Sequence, residues 1–353
     1  MSVVGARPNI IKMAPIHTKL SEIAKHTIVH TGQHYDYQMS EIFFKEFKLP
    51  KPSFNLEIGS GTGCYQIGAT MISLEKIILE HVPDLVLVYG DTNSTLAGAL
   101  TARKCNTPLA HIESGLRSFD MRMPEETNRI LADHISNILF APTPTAVTNL
   151  KKENVRGNIL YTGDLSVEIV QEALRAKSLI LHDLKLESRS YILLTMHRAE
   201  NTEHPSTLSS IAKVIEMLDP MTVVFPIHPR TKKIMQNSGL YNDLEKRRNL
   251  KLIPPVGYVD FINLVKNAKK VVTDSGGVQK EAYLLETPCI TLRQNTEWIE
   301  TLSENRNILV GTETDAIVRA IRDWVPNDKE IKPVFGSGGA SNVILNEIKE
   351  NLR

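Results

Sequence analysis

The chain has 353 residues, a formal net charge of +1, and 42% hydrophobic and 23% charged residues. That length exceeds one ordinary core and predicts two domains of a globular protein. The near-zero charge excludes the electrostatic footprint of a nucleic-acid or membrane-surface binder, and no apolar run approaches the 18 residues of a spanning helix. Cys64, Cys105 and Cys289 stand singly, which fits a reducing compartment without a disulfide framework. No Cys–His spacing resembles a zinc site, and His30 and His34 straddle Gly32. With no signal peptide in the sequence, a cytoplasmic protein is expected.

Residues 1–5 read as a very short first strand, short enough that native residues are expected to be missing upstream. A helical pattern follows through Ile10, Ile11, Met13, Ile16 and Leu20. Gly5 at the turn and Pro8 near the helix start make an anion-friendly N-terminus, with Arg7 and Lys12 beside it. Alone, those two cations read better as a solvated first turn. A second strand, 27–30, ends in Thr31-Gly32-Gln33-His34, and an amphipathic helix covers 37–47. Gly59-Ser60-Gly61-Thr62-Gly63 has no apolar strand before it and is not the G-x-G-x-x-G fingerprint. It reads as a loop before a helix over 65–80, and no dinucleotide cofactor is indicated.

The clearest strand, 85–89, stops at Gly90-Asp91-Thr92-Asn93, and a helix rich in Ala and Leu runs to Lys104. Leu109–Ile112 is another apolar strand, ending in Glu113-Ser114-Gly115-Leu116-Arg117. Ligands of open α/β sheets bind off the carboxyl ends of strands, so Asp91 and Glu113 are expected to share one crevice. Asp91 reads equally as the cap of the next helix. Glu113 does not, because Gly115 argues against an immediate helix. Met123-Pro124-Glu125-Glu126-Thr127-Asn128-Arg129 opens a helix, and acids in a first turn stabilise a helix by roughly 0.3–1 kcal/mol with no further role. Glu125 and Arg129 sit four apart on one face. Glu126 points about 100° away and is expected to be nearly silent. Strands near 138–140 and 159–162 and a helix near 146–152 complete a first α/β domain.

Gly163-Asp164 begins the crossover, and a second domain starts with a strand over 191–196 that ends in His197-Arg198-Ala199-Glu200-Asn201. Thr222–Pro226 leads to His228-Pro229-Arg230, and Leu250–Ile253 leads to Pro254, Pro255 and Gly257. Then Val271-Val272-Thr273-Asp274-Ser275-Gly276-Gly277 passes from a β-branched run into a tight turn and a helix. Free N–H groups at that helix start, with the positive end of the dipole behind them, suit a diphosphate. Ser275 adds a hydroxyl donor, and Glu281, one to two turns in, can hold two ribose hydroxyls. By itself such a Gly-Gly turn is equally an ordinary strand-to-helix connection. A strand over 289–292 precedes Arg293 and Thr296-Glu297, and a final helix covers 342–352. Two doubly wound sheets facing each other across a cleft is the expected architecture.

Seven motifs fall in order: Gly5-Ala6-Arg7-Pro8, Thr31-Gly32-Gln33-His34, Gly90-Asp91-Thr92, His111-Ile112-Glu113-Ser114-Gly115-Leu116-Arg117, Pro124-Glu125-Glu126-Thr127-Asn128-Arg129, His197-Arg198-Ala199-Glu200-Asn201 and Thr273-Asp274-Ser275-Gly276-Gly277. Each is weak alone; together they resemble the non-hydrolysing UDP-N-acetylglucosamine 2-epimerases over essentially the whole chain. The resemblance implies a GT-B fold: a Rossmann-like domain of residues 1–165, to which a C-terminal helix 340–353 returns, and a UDP-binding Rossmann-like domain of residues 166–339. It also implies a homodimer and a UDP-sugar substrate, interconverted between UDP-GlcNAc and UDP-ManNAc through a 2-acetamidoglucal. No cofactor and no metal are required. Asp91, Glu113, Glu125 and His197 are then the acid/base candidates. Arg7, Ser275, Gly276, Gly277, Glu281 and Arg293 hold UDP, and Lys12, His34, Arg129 and His228 support the site.

Several positions depart from the family pattern. Asn9 replaces an acid, Ser114 replaces Ala, and Asp36 stands where members with a second, regulatory site carry Gln. Thr296-Glu297-Trp298-Ile299-Glu300 replaces the usual Thr-Glu-Arg-Pro-Glu and is similar to a sister group acting on UDP-2,3-diacetamido-2,3-dideoxyglucuronate. The N-acetylglucosamine reading stands slightly ahead. A GT-B glycosyltransferase would share the fold and the nucleotide site, but the cluster of first-domain acids favours epimerisation.

Overall fold

The computed structural model describes residues 1–32, 37–303, 305–327 and 332–351. His34 and Asp36 lie outside the described residues. The strands, in chain order, are β1 (Ser2–Val4), β2 (Ile28–His30), β3 (Phe54–Asn55), β4 (Val86–Tyr89), β5 (Leu109–Ile112), β6 (Ile138–Ala141), β7 (Asn158–Tyr161), β8 (Tyr191–Thr195), β9 (Thr222–Pro226), β10 (Leu250–Ile253), β11 (Lys270–Thr273), β12 (Cys289–Thr291) and β13 (Asn307–Leu309). They form two sheets, ordered β3-β2-β1-β4-β5-β6-β7 and β10-β9-β8-β11-β12-β13 among the described residues. Every pairing is parallel, for example Val88 beside His111 and Val272 beside Leu194. The inner strands β1, β4, β5, β8 and β11 are buried along their whole length, as parallel strands covered by helices on both faces must be.

Contacts divide the chain into Met1–Gln171 with Pro333–Arg353, and Glu172–Lys332. In the first unit, helix Ala340–Asn351 packs near helix Arg7–Leu20. Lys19 Nζ donates to Ser341 Oγ at 2.5 Å and Asn342 Oδ1 at 2.6 Å, while Ser341 N–H donates to Glu168 at 2.9 Å. Helix Asn93–Lys104 lies close on its sheet: a Cβ on Gly98 would sit 2.9 Å from Val88 Cγ1. In the second unit, Leu193, Ile192, Val223, Phe225, Val272 and Ile290 belong to strands buried between helices, with Ile211, Ile215 and Ile317 among the apolar groups packed there.

The strand order determines where ligand groups belong. In each sheet the winding reverses once, between β1 and β4 and between β8 and β11. A crevice opens outside the carboxyl ends of the strands flanking such a reversal. β1 and β4 run out into Gly5–Arg7 and Gly90–Asp91; β8 and β11 run out into His197 and Asp274–Ser275. The sequence motifs therefore sit at the switch points of their own sheets.

Candidate active site

In the first unit the turns after β1 and β4 are tied by Asn9. Its Oδ1 accepts the N–H groups of Gly5 (3.3 Å) and Ala6 (3.1 Å), and its Nδ2 donates to Tyr89 O (2.6 Å). The Thr92 hydroxyl donates to the same Oδ1 at 3.1 Å. A carboxylate at position 9 could not donate to the Tyr89 carbonyl, so the departure to Asn has a physical use. Thr92, not Asp91, caps helix Asn93–Lys104, by accepting from Thr95 N–H. Asp91 is thus released from the structural role that its position allowed.

Asp91 and Glu113 are each matched by a cation from a helix. Glu113 pairs with Lys12, and Asp91 with Arg129. Glu113 has φ +70, the left-handed region that a residue with a Cβ seldom adopts. Gly90 sits where these groups meet: at φ +64, a Cβ there would lie 3.1 Å from both Glu113 Oε2 and Lys12 Nζ. Lys12 and Glu113 also line a small hollow with Phe140, Thr162 and Asp164. Arg7 is half-buried at the start of its helix, its guanidinium 5.0 Å from the Phe43 ring centroid, a cation–π distance.

Helix Pro124–Ile135 places a polar stripe under these turns. Glu126, Arg129 and Asp133 are buried on it at spacings of three and four. Asp133 accepts from Gly115 N–H (3.0 Å) and Arg117 Nη1 (2.7 Å) and lies 2.7 Å from His111 Nδ1. The other ring nitrogen of His111 lies 2.7 Å from Gly90 O, so the pair links both acid-bearing turns. Burial pushes the Asp133 carboxyl up, but the bond and charge of His111 and the charge of Arg117 outweigh it and hold it below the usual range. Asn128 Nδ2 adds a bond to Asp91 O at 2.9 Å.

Arg129 engages Glu126 and not Glu125. Arg129 Nη1 pairs with Glu126 at 2.5 Å, three residues back, rather than with Glu125 four residues back. Glu126 is fully buried, and its carboxylate also accepts from Ser118 N–H, Ser118 Oγ and Phe119 N–H. Glu125 is half-exposed, and its side chain makes no hydrogen bond or ion pair among the described residues. Glu126, expected to point away, is instead the acid that Arg129 engages: β5 runs into a loop that folds back over the first helical turn, and its N–H groups find their acceptor at 126. The spacing 126, 129, 133 of three charged residues on one face was the available signal.

In the second unit Asp274 is fully buried and accepts from His197 N–H (3.2 Å), Arg198 N–H (3.0 Å) and Asn201 Nδ2 (3.0 Å). Burial raises this carboxyl, yet the His197 bond and charge, with Asn201 and the Arg198 backbone, hold it below its usual range. The His197 ring remains exposed, with Nδ1 3.3 Å from Asp274 and its centroid 6.1 Å from that of His228. His228 caps the next helix by accepting Arg230 N–H.

Ser275 is the N-cap residue of helix Gly276–Leu284, and its hydroxyl does not cap the helix. The two glycines differ. A Cβ on Gly276 would lie 2.1 Å from Glu297 Oε1, whereas one on Gly277 would have nothing nearer than Ser275 Oγ at 3.9 Å. Gly276 thus sits tight against the Glu297 carboxylate, and Gly277 leaves its backbone open. Glu297 pairs with Arg293 at 2.8 Å and stands 3.8 Å from Arg198. Both arginines thus stand beside the Glu297 carboxylate, next to the N-terminus of helix Gly276–Leu284. Trp298 is buried, with Lys280 Nζ 4.1 Å from its ring centroid. Glu281 lies part-exposed in the second turn of this helix.

Parallel α/β sheets with ionisable groups gathered at their switch points define a ligand-handling enzyme class. Comparison with known proteins narrows it. The sequence profile of the UDP-N-acetylglucosamine 2-epimerase family matches residues 18–349. A UDP-N-acetylglucosamine 2-epimerase homolog of Methanococcus maripaludis is 48% identical over 100% of this chain and 99% of its own. The UDP-2,3-diacetamido-2,3-dideoxy-D-glucuronate 2-epimerase of Pseudomonas aeruginosa is 42% identical over 98% of this chain and 97% of its own. The crystal structure of Methanocaldococcus jannaschii UDP-GlcNAc 2-epimerase, in complex with UDP-GlcNAc and UDP, superposes with a TM-score of 0.93 at 42% identity, covering 99% of each chain. The chain belongs to the UDP-N-acetylglucosamine 2-epimerase family, a family of isomerases. Its fold is the α/β GT-B class, built from two parallel-sheet Rossmann-like units.

Proposed function

We propose that this isomerase interconverts UDP-GlcNAc and UDP-ManNAc by eliminating and re-adding UDP. One acid/base group takes the C2 proton. The C2–H electrons form the C1=C2 double bond as the C1–O bond breaks, its electron pair leaving on the β-phosphate oxygen of UDP. A second group returns a proton to the opposite face of C2, and the UDP oxygen re-forms its bond to C1. The observation that carries this reading is the pair of strand-end carboxylates, Asp91 and Glu113, each held against a helix cation in the first unit. Groups so placed can exchange protons with a substrate carbon. His197 and Glu125 are the further acid/base candidates.

In the second unit Arg293, Ser275 and the open backbone at Gly277 are assigned to the diphosphate, Gly276 to the turn that presents them, and Glu281 to the ribose. In the first unit Arg7, Lys12 and Arg129 supply positive charge. His34 and, from the second unit, His228 are kept as supporting residues. The chemistry as written calls on no metal or redox group. A cytoplasmic homodimer, with the two units acting as its domains, is the proposal that accompanies the family; among the described residues no helix is long and apolar enough to cross a membrane.

Turnover of UDP-GlcNAc in heavy water, followed by NMR, tests the reading. Deuterium should enter C2 of the recovered UDP-sugars without net release of UDP. Protium retained at C2 through many turnovers overturns the mechanism. A second reading, the diacetamido-uronate as substrate, draws on one observation: Trp298, in place of Arg, is buried against Lys280 beside Gly276. It prevails if that sugar alone is converted.

A further inference from the structure

The Glu126 carboxylate is a junction. Its Oε2 accepts from Ser118 N–H at 2.9 Å, Ser118 Oγ at 2.8 Å and Arg129 Nη1 at 2.5 Å, and its Oε1 accepts from Phe119 N–H at 2.9 Å. Arg129 reaches the other way with Nη2 to the Asp91 carboxylate. Glu126 is 0% exposed and Arg129 is 2% exposed, while the Asp91 side chain is 30% exposed. The guanidinium is thus a planar bridge with one buried carboxylate behind it and one open carboxylate before it.

A single arginine facing Asp91 alone would have several rotamers available and no second partner. With Glu126 fixed by three donors of the 118–119 loop, the rigid fork of Arg129 has one orientation, and so has the Asp91 carboxylate that it grips. The loop bonds do more than satisfy a buried charge. They make the position of Glu126 depend on the segment that leaves Glu113, whose own carboxylate pairs with Lys12. The Gly90–Asp91 turn thus stands between two ion pairs, Arg129 with Asp91 and Lys12 with Glu113.

We infer that Glu126 is a positioning residue for the epimerisation: through Arg129 it orients the carboxylate of Asp91. This rests on the reading of Asp91 as an acid/base group. It predicts a loss in kcat on changing Glu126 that the binding of UDP does not share, because Glu126 bonds to none of Arg7, Ser275, Gly277 and Arg293.

The test is a double-mutant cycle of Glu126→Gln and Arg129→Lys, with Asp91→Asn as reference. Glu126→Gln keeps the volume but removes the charge and one of the two acceptor oxygens. Arg129→Lys keeps a charge, but one ammonium cannot hold two carboxylates in a fixed plane. Each should lower kcat on the order of tenfold or more, and Glu126→Gln should leave the UDP dissociation constant within about twofold while the broken buried pair lowers the thermal midpoint. The double variant should be no slower than the slower single one. Wild-type kcat in Glu126→Gln overturns the inference, as do strictly additive losses, or equal losses of kcat and UDP affinity in that variant. Should Glu126→Gln fail to fold, Arg129→Lys decides: undiminished kcat there refutes the inference. If Asp91→Asn itself turns over normally, the reading of Asp91 fails first; if Asp91→Asn is inactive and Glu126→Gln is normal, the inference alone fails.

Discussion

Asp91 and Asp274 occupy equivalent places, each just past the fourth-ranked strand of its sheet at the switch point, yet they are built for opposite ends. Asp274 has a fully buried side chain, surrounded by backbone and amide donors. Asp91 leaves 30% of its side chain exposed and meets a single buried guanidinium. A carboxylate saturated by fixed N–H groups holds a turn together and has no lone pair to offer a substrate. One paired on one side keeps its other side for chemistry. Position at a strand end is therefore not enough to assign a role; the number and kind of partners decides it.

The largest expected effect follows directly. Asp91→Asn and Glu113→Gln should each reduce kcat on the order of 10²–10⁴-fold, the contribution of a placed acid or base, with little change in unfolding free energy. Rates from NMR and denaturation curves on the same samples check both halves. Stability loss matching the rate loss would make Asp91 a second Asp274 and erase the contrast.

The converse change is Asp274→Ala. It strands the N–H groups of His197 and Arg198 and the Asn201 amide, at a cost on the order of 1–3 kcal/mol for each donor left buried. Urea unfolding should show this loss even without substrate. A variant that unfolds like wild type but has lost its rate would instead put Asp274 among the reacting groups.

Much of this was legible in the sequence, and the reasons for the rest are physical. Short apolar runs leading into Gly or Asp mark inner parallel strands, because both faces are buried and no alternation is needed; β1, β4 and β11 fall where those runs do. The edge strands β3 and β13 escaped, since two or three residues carry no period. Motif spacing located Asp91, Glu113 and the turn at 274–277, because ligand groups collect at strand ends. It could not say which neighbour in Glu125-Glu126 faces inward. That choice depends on the 118–119 loop folding back over the helix start, a tertiary event with no local signature. Nor could it separate Gly276 from Gly277, whose difference comes from Glu297, twenty residues on.

That pair of glycines gives the next test. Gly276→Ala drives a methyl group into Glu297 and should destabilise by about 1–3 kcal/mol, as overpacking does. Gly277→Ala should stay within about 0.5 kcal/mol of wild type in stability. Its effect should fall on UDP affinity, where the backbone has been assigned to the diphosphate. Calorimetric UDP titration beside urea unfolding distinguishes the two; unaltered UDP binding in Gly277→Ala would remove that backbone from the site.

The smallest effect separates the units by pH. In the first unit His26 lies 2.7 Å from Ser2 Oγ and 2.9 Å from the His17 ring. Burial above all, then the charges of the Met1 amino group and His17, drives its imidazole down to about 3. An unfolded chain takes up this proton near 6.5, the folded one only near 3, so in that window the unfolded state binds more protons and stability falls as pH falls. Asp274 behaves otherwise: its folded pKa lies below the ordinary carboxylate value, so its contribution is complete above about 3.9 and is lost only as pH drops through the folded value. Between pH 6.5 and 5.5 the unfolding free energy should decline with a His26 slope of at most about 1.4 kcal/mol per pH unit. His26→Asn should flatten that slope, leaving the parts due to the Met1 amino group, pushed down to about 6 by burial, and to His17, whose imidazole burial also lowers. Asp274→Asn should shift the whole curve down and leave the slope in this window unchanged. If Asp274→Asn abolishes the slope and His26→Asn does not, the acid sensitivity belongs to the second unit and the two strand-end environments have been assigned the wrong way round.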